Sequence, residues 1–228
     1  MHQCLRGRIH DLKPECRAAV MAEMRKESKS ILFKPVMRRN CRKDINVFCG
    51  VNAQGKHQSV IACLQDNVDD VRMSPQCKAA VSRDMLDSSV DVRFSPIITA
   101  ACERDREARV CFLQARTGKV DHMTLADGSM LRCLAEKREK LIGRCQTAVM
   151  RQLAIAAKDI RLDLSLHRAC HDDQTAFCPQ VEPGAGRVQA CLRARFDDLS
   201  ADCKSEEFQR EVEVGDESLV CLNLVLTR

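Results

Sequence analysis

The stretch Cys41-Arg-Lys-Asp44-Ile-Asn-Val-Phe48-Cys49 decides the fold, because it opens a unit that recurs along the chain. The same arrangement returns at 170–178, where an acid again lies three residues after the first cysteine and a Phe again precedes the second. Cys63 and Cys77 complete the first unit. The interval from the fourth cysteine of one unit to the first of the next is 25 residues in all three cases, which predicts tandem repeats.

Three complete units account for twelve of the fifteen cysteines. The cysteines that we expect to form disulfides are Cys41, Cys49, Cys63 and Cys77, then Cys102, Cys111, Cys133 and Cys145, then Cys170, Cys178, Cys191 and Cys203. We divide the chain into the end of a truncated repeat (1–16), three repeats (17–77, 78–145 and 146–203) and the start of a further truncated repeat (204–228). Cys4 and Cys16 match the third and fourth positions of a unit, whereas Cys221 has no counterpart and is predicted to bridge elsewhere or to be a small buried side chain.

The cysteines favour disulfides over metal binding. No C-x2-C pair occurs, so the motif that most zinc sites use is missing. A content of fifteen cysteines in 228 residues is typical of proteins from an oxidising compartment. His167, Cys170, His171 and Cys178 form one metal candidate, but both cysteines occupy repeat positions. We therefore expect no metal and no cofactor.

Four cysteines allow three pairings, and the positions alone leave more than one open. Cys41 and Cys63 lie symmetrically about the loop near residue 52, which favours pairing of the first cysteine with the third and of the second with the fourth. Cys63 and Cys77 are also centred on a turn of their own, near residue 70, so third-to-fourth pairing remains an alternative.

Helical periodicity runs through every repeat. The fourth cysteine opens Cys-x-x-Ala-Val three times, and a Met or Leu follows four residues after that Val, which makes one stripe of an α-helix. Ser74-Pro75 and Ser95-Pro96 read as N-cap and first helical residue, and Ser200 as a further cap. The predicted fold is all-α: tandem four-cysteine helical repeats that form an elongated, disulfide-stapled array. With seven Phe and no Trp or Tyr, the core depends on disulfides for much of its stability.

The recurring acids Asp44, Asp105 and Asp173 indicate a structural role, either pairing with an Arg of a neighbouring repeat or capping a helix. Catalysis is not expected of a residue that recurs three times along one array. The sequence also contains no G-x-S-x-G motif and no glycine-rich phosphate loop. We therefore expect the protein not to be an enzyme.

One basic segment holds the excess positive charge. Residues 25–43 carry a charge of +7, whereas the whole chain carries +5. The segment is predicted to be either a solvated helix face or a ligand patch for sulfated glycans or an acidic protein face. Nucleic acid is not expected, given the compartment and the scarcity of aromatic residues that would stack on bases. The patch residues are Arg25, Lys26, Lys29, Lys34, Arg38, Arg39, Arg42 and Lys43.

Together these motifs resemble the cysteine-rich repeats of the Golgi apparatus protein 1 family, also described as the cysteine-rich fibroblast growth factor receptor and E-selectin ligand. The resemblance rests on the two segments 41–49 and 170–178, on a Leu after each third cysteine, and on Asp-Val-Arg at 91–93 and Asp-Ile-Arg at 159–161. It implies a type I membrane glycoprotein of the Golgi, with a luminal array that binds growth factors and other ligands in the secretory pathway. Its signal peptide and membrane anchor are expected outside these 228 residues, and no N-x-[ST] glycosylation motif occurs within them.

The sequence therefore predicts a luminal array that binds protein ligands or secretory cargo, such as growth factors or glycoproteins, in the Golgi lumen. The alternative function is lipid binding by saposin-like helical modules. Lipid binding predicts a continuous exposed apolar face, whereas the array predicts a mixed, charged surface.

Overall fold

The computed structural model describes residues 2–50, 57–114 and 129–214, and within these ranges it contains helices and turns but no strand. This confirms the predicted all-α class. The α-helices are α1 His2–Gly7, α2 Pro14–Ser28, α3 Pro35–Asn40, α4 Arg42–Asp44, α5 His57–Asp66, α6 Pro75–Ser89, α7 Pro96–Cys102, α8 Arg106–Gln114, α9 Ser129–Glu136, α10 Gly143–Lys158, α11 Leu164–Ala169, α12 His171–Phe177, α13 Arg187–Arg193 and α14 Ala201–Val214. The short 3-10 turns are Ile9–Asp11, Ile31–Phe33, Val92–Phe94, Arg138–Lys140, Ile160–Leu162 and Phe196–Asp198, and a π-helical turn covers Ile45–Cys49.

All twelve predicted cysteines form disulfides, but the favoured pairing is wrong. The first cysteine of each repeat bonds to the fourth and the second to the third, so neither Cys41–Cys63 nor Cys63–Cys77 exists. The observed bridges are Cys41–Cys77, Cys49–Cys63, Cys102–Cys145, Cys111–Cys133, Cys170–Cys203 and Cys178–Cys191.

The physical reason is that the two bridges of a repeat have nearly the same centre in the sequence, so one lies inside the other. The midpoint of Cys49–Cys63 is residue 56 and that of Cys41–Cys77 is residue 59, so the second bridge encloses the first. Outer bridges bring the Cα atoms to 4.6–4.7 Å, and inner bridges to 5.8–6.3 Å. Each repeat is therefore one large helical hairpin that is closed twice.

The outer bridge joins the two helices that carry the core of each repeat. The helix before the first cysteine packs on the helix of the fourth, as α3 on α6, α7 on α10 and α11 on α14. Each repeat buries its own apolar cluster, and the outer-bridge cysteines are fully buried within it. This confirms the organisation into disulfide-stapled repeats, with sulfur atoms inside the apolar interior.

The predicted helix caps are confirmed. The Ser74 hydroxyl accepts a hydrogen bond from the Cys77 N–H at 3.4 Å and the Ser95 hydroxyl from the Ile98 N–H at 3.4 Å. Ser200 caps the matching helix of the third repeat, accepting from the Cys203 N–H at 3.3 Å. Each cap satisfies a backbone donor that the first helical turn leaves unpaired.

An apolar side chain eight residues before the first cysteine joins one repeat to an earlier helix. Phe94, on the 3-10 turn before α7, packs in a cluster with Met24 and Val20 of α2 and is 2% exposed. Leu162, at the same repeat position, packs in a cluster with Met85 and Leu86 of α6. Consecutive repeats thus share a common apolar junction.

Ion pairs flank these apolar junctions. The Arg151 guanidinium of α10 donates to Asp66 of α5 at 2.7 Å and to the Ala62 carbonyl at 3.1 Å. Arg6 of α1 donates to Glu27 of α2 at 2.7 Å and lies 3.5 Å from Asp87 of α6. Mixed apolar and charged contacts therefore connect the repeats.

Candidate ligand-binding face

The first-cysteine segment of repeat one has one buried side and one solvent side. Met37, Cys41 and Asp44 are buried and lie at positions i, i+4 and i+7, which share one face of a helix. The bond from Cys41 to Cys77 ties this buried face to α6. The orientation of the opposite face is thereby determined by the core.

Asp44 fixes the same segment through polar contacts. Its carboxylate accepts from the Ser74 backbone N–H at 2.8 Å and from the Ser74 hydroxyl at 2.7 Å. Asp173 accepts from Ser200 in the same way, at 3.1 and 2.6 Å. Of the two predicted roles for the recurring acid, the structure selects the cap, because the contacts are to the N-terminus of the fourth-cysteine helix.

Repeat two has the recurring acid, Asp105, but Ile142 occupies the position that Ser74 and Ser200 occupy in the other repeats, so the cap has no hydroxyl. Asp105 accepts from the Ile142 N–H at 2.7 Å and, with its other oxygen, from the Ala108 N–H at 3.0 Å, at the start of α8. One carboxylate thus caps two helices. All three acids are therefore engaged in the framework of the repeat.

Four cations occupy the solvent side of the first-cysteine segment. Arg38, Arg39, Arg42 and Lys43 are all exposed, and on a helix of 3.6 residues per turn they lie opposite the Met37–Cys41–Asp44 stripe. None of the four forms an ion pair with any residue that the structure describes. We call these four residues the basic face.

The basic face is a feature of repeat one. Counted from the first cysteine, the same positions in repeat two are Thr99, Ala100, Glu103 and Arg104, which carry no net charge. In repeat three they are His167, Arg168, His171 and Asp172. Since the framework is common to all three repeats and the charge is not, the charge has no role in the shared fold.

The other members of the predicted patch have different surroundings. Lys34 is partly buried and forms an ion pair with Asp84 of α6, and Lys26 lies 3.4 Å from Glu23 on its own helix. Arg25 lies exposed at the C-terminal end of α2, and Lys29 is exposed just beyond it. The structure thus separates a structural lysine, Lys34, from the exposed cations.

The histidines of repeat three do not share a metal site with the neighbouring cysteines. Cys170 and Cys178 are oxidised to disulfides, so their sulfur atoms are not thiolate ligands. The His167 and His171 rings are 5.9 Å apart in an edge-to-face arrangement. Among the described residues, no group of three or more His, Cys, Asp or Glu side chains converges on a point.

The pKa of His167 is lowered from its ordinary value of 6.5. Partial burial is the main cause, because it disfavours the charged ring, and the nearby His171, Arg161 and Arg168 add repulsion. Asp159 opposes the shift. Neutral His167 is therefore the form that the fold prefers.

One cleft lies where the three repeats meet. Lys34 of repeat one, Phe94 of repeat two and Ile155 of repeat three are among the residues that line it. In the described part of the chain, no helix is both long and apolar enough to cross a bilayer.

Two cysteines of the described residues form no disulfide. Cys4 and Cys16 are exposed and unpaired, which excludes the third-to-fourth bond that the alternative pairing predicted for them. Cys221 lies outside the described residues.

Sequence reasoning missed the residues that join the repeats. Phe94 and Leu162 directly follow the recurring Asp-Val-Arg and Asp-Ile-Arg triplets, so their shared position was a usable signal. Arg151 had only a partial signal, because the matching position in the second fourth-cysteine helix also holds Arg, Arg83, whereas the first holds Ala22.

The helical hairpins, each closed by two concentric disulfides, define a cysteine-rich helical repeat protein. The chain belongs to the Cys-rich FGFR family, described as a cysteine rich repeat, which matches residues 14–72, 75–142 and 143–200. The family resemblance that the motifs indicated is confirmed.

Curated relatives agree with this assignment. The chain is 28% identical over 220 residues to Golgi apparatus protein 1 of Cricetulus griseus and 27% identical over 221 residues to that of Homo sapiens, with 90% of the chain covered in both. It is 27% identical over 218 residues to the Golgi apparatus protein 1 homolog of Caenorhabditis elegans, with 86% covered. The aligned region is only 18% of the length of each of these relatives. No solved structure matches the chain.

The chain is thus a Golgi cysteine-rich repeat protein. The names of its relatives support the Golgi localisation predicted from the sequence.

Proposed function

We propose that this chain is a binding array of the Golgi lumen that holds protein ligands or secretory cargo, and that repeat one contacts anionic groups on them through the basic face. The observation that carries the proposal is the set of four exposed cations on a segment whose back is bonded to the core. A rigid cluster of like charges attracts anionic groups without first having to order its own backbone.

The ligands that fit best are acidic or sulfated proteins and glycoproteins, growth-factor-like proteins among them. Arg groups form two parallel hydrogen bonds to carboxylate or sulfate, and three of the four cations are Arg. The exposed position implies fast, salt-sensitive association, because exposed charges are screened over about 8 Å at physiological ionic strength.

A non-catalytic role is part of the proposal. It is supported by the use of the recurring acids as helix caps. Lipid binding is less well supported, since the exposed large apolar side chains are distributed over all three repeats, from Leu5 to Phe196.

The test measures binding of the oxidised full chain to immobilised heparin, a sulfated glycan, with chemically desulfated heparin as the reference surface. The chain with Arg38, Arg39, Arg42 and Lys43 all replaced by Ser should bind about tenfold or more weakly, since each exposed ion pair contributes about 0.2–1 kcal/mol. The matched control replaces four exposed cations elsewhere, Lys78, Arg104, Arg109 and Arg144, and removes the same charge.

Equal losses in the two variants would show that only net charge matters and would overturn the assignment to repeat one. Binding to neutral phosphatidylcholine vesicles that survives both sets of substitutions would instead favour the saposin-like alternative. Loss of heparin binding in the first variant alone supports the proposal.

A further inference from the structure

The surface of repeat three that corresponds to the basic face carries two histidines. Three of its four residues are exposed, and His167 is half-buried. The His167 and His171 rings are 5.9 Å apart in an edge-to-face arrangement, so a single anionic group has room to contact both. We call this surface the histidine face; its residues are His167, Arg168, His171 and Asp172.

The histidine face is held by its back, as the basic face is. Leu166, Cys170 and Asp173 are buried and lie at positions i, i+4 and i+7 of one helix side. Cys170 is bonded to Cys203 of α14, and Asp173 accepts two hydrogen bonds from Ser200. The core therefore determines which side chains of this segment point to solvent.

Neighbouring repeats leave this part of a repeat open. In repeat two, with repeats one and three described on either side of it, Ala100, Glu103 and Arg104 are exposed at the matching positions and Thr99 is half-buried. In repeat one, which two repeats follow, all four matching positions are exposed. The first-cysteine segment thus keeps the same solvent side at three places along the array.

The charge of the histidine face depends on pH, unlike that of the basic face. With both rings neutral, Arg168 and Asp172 cancel and the four residues carry no net charge. With both rings protonated, the same four residues carry +2. The four residues of the basic face carry +4 throughout this range, because Arg and Lys do not lose their protons in it.

The surroundings of His167 favour its neutral form. Partial burial is the main cause of its lowered pKa. Asp159 opposes the shift, but its carboxylate is paired with Arg161 at 2.6 Å. The cations and titratable groups that add repulsion are His171, Arg161 and Arg168.

The acids of the adjoining elements have partners of their own. Asp163, at the start of α11, accepts from the Leu166 N–H at 3.2 Å. On α14, which packs on α11, Glu206 pairs with Arg132 of repeat two. The other charged residues near these helices are Asp202, Lys204 and Glu207 of α14, of which Glu207 lies 3.2 Å from Arg193, and Glu182, which lies near Arg161. An anion supplied by a ligand would therefore add the negative charge that favours protonated rings.

We infer that the histidine face is a binding site for sulfated glycans and that protonation of its two histidines switches this binding on. Imidazolium and guanidinium groups both donate hydrogen bonds to sulfate oxygens, and bonds between charged groups are the stronger kind. The four residues include no large apolar side chain, whereas the buried centre of a protein interface is rich in them. This favours a glycan over a protein as the occupant.

The inference concerns a different repeat from the basic face and does not depend on it. The experiment therefore uses the oxidised full chain in which the basic face has been removed, so that a failure of one proposal can be told from a failure of the other. The residues replaced by Ser in this background are Arg38, Arg39, Arg42 and Lys43.

Binding of this chain to immobilised heparin is measured at about pH 7.5 and about pH 5.5, at low ionic strength and with desulfated heparin as the reference. Binding should be about fivefold tighter at the lower pH, because two additional charges each form an exposed ion pair. His167→Gln together with His171→Gln should remove this gain. His167→Arg together with His171→Arg should give the tighter binding at both pH values, since Arg stays charged.

The matched control replaces two other histidines, by His10→Gln together with His57→Gln, and should keep the gain at low pH. Calorimetry at about pH 6 in buffers of different ionisation enthalpy should show that heparin binding takes up protons, and that the His167 and His171 Gln variant takes up fewer.

Three results would overturn the inference. The first is the absence of a gain at low pH, and the second is a gain that survives in the His167 and His171 Gln variant. The third is tighter binding of polyglutamate than of heparin at about pH 5.5, where Glu side chains are ionised, because that would assign the histidine face to acidic proteins.

Discussion

Asp44 and Ser74 are joined by two hydrogen bonds, from the Ser74 N–H at 2.8 Å and from its hydroxyl at 2.7 Å, although 30 residues separate them. The Ser74 hydroxyl in turn accepts from the Cys77 N–H. This chain of contacts runs beside the outer disulfide Cys41–Cys77. The polar link and the covalent link therefore hold the same two helices.

We predict that Asp44→Ala lowers the free energy of unfolding by about 3 kcal/mol or more, since hydrogen bonds to a charged group contribute about 1.5–3 kcal/mol each and Ser74 would lose both. Ser74→Ala should cost less, because the backbone N–H can still donate. Urea unfolding followed by circular dichroism checks both values. The exposed Asp172→Ala is the control and should change stability by less than about 0.5 kcal/mol.

The two bridges of a repeat should differ in their contribution to stability. Cys41–Cys77 closes a sequence separation of 36 and Cys49–Cys63 one of 14, so loop entropy alone gives about 4 and about 3 kcal/mol. Cys41 and Cys77 are also fully buried, so replacing them with Ser adds a desolvation cost. The double Ser variant of the outer bridge should therefore melt lower than that of the inner bridge. The reverse order would contradict the expectation that the longer loop and the buried cysteines make the outer bridge more stabilising.

Much of the framework was predictable from the sequence because it repeats. The helical stripe after each fourth cysteine and the caps at Ser74, Ser95 and Ser200 follow from short-range patterns. The recurrence of the acid was visible, but its role as a cap was one of two alternatives, because its partner Ser74 lies 30 residues away. The disulfide pairing was mispredicted because each bridge was judged by its own loop. Considering both bridges together would have shown that the first-to-fourth and second-to-third pairs share a centre.

Other features depend on contacts that no local pattern reveals. Lys34 looks like its basic neighbours in sequence, but it pairs with Asp84, fifty residues away. Phe33 and Phe94 are the same type of residue at the same repeat position. Only Phe94 is covered, because exposure depends on which helix lies alongside. The candidate site therefore could not be predicted without knowing how whole repeats pack.

Stability should depend on pH through His167. Its folded pKa lies below the unfolded value of 6.5, so the unfolded chain binds more protons in the range between them. The stability contributed by neutral His167 is fully present above pH 6.5 and is lost as the pH falls through that range. His167→Gln should flatten the dependence of the urea midpoint on pH below 6.5. His171→Gln should only weaken it, because burial, the main cause, remains.

The contrast between Phe94 and Phe33 gives a test of the repeat junction within one chain. Phe94→Ala removes a fully enclosed ring and leaves a cavity among Ile9, Met24 and Val20, which should cost about 3–5 kcal/mol of unfolding free energy. Phe33→Ala removes the same atoms from an exposed position and should cost less than about 0.5 kcal/mol. Urea unfolding of the two variants provides the comparison. Similar costs would contradict the difference in burial between the two rings.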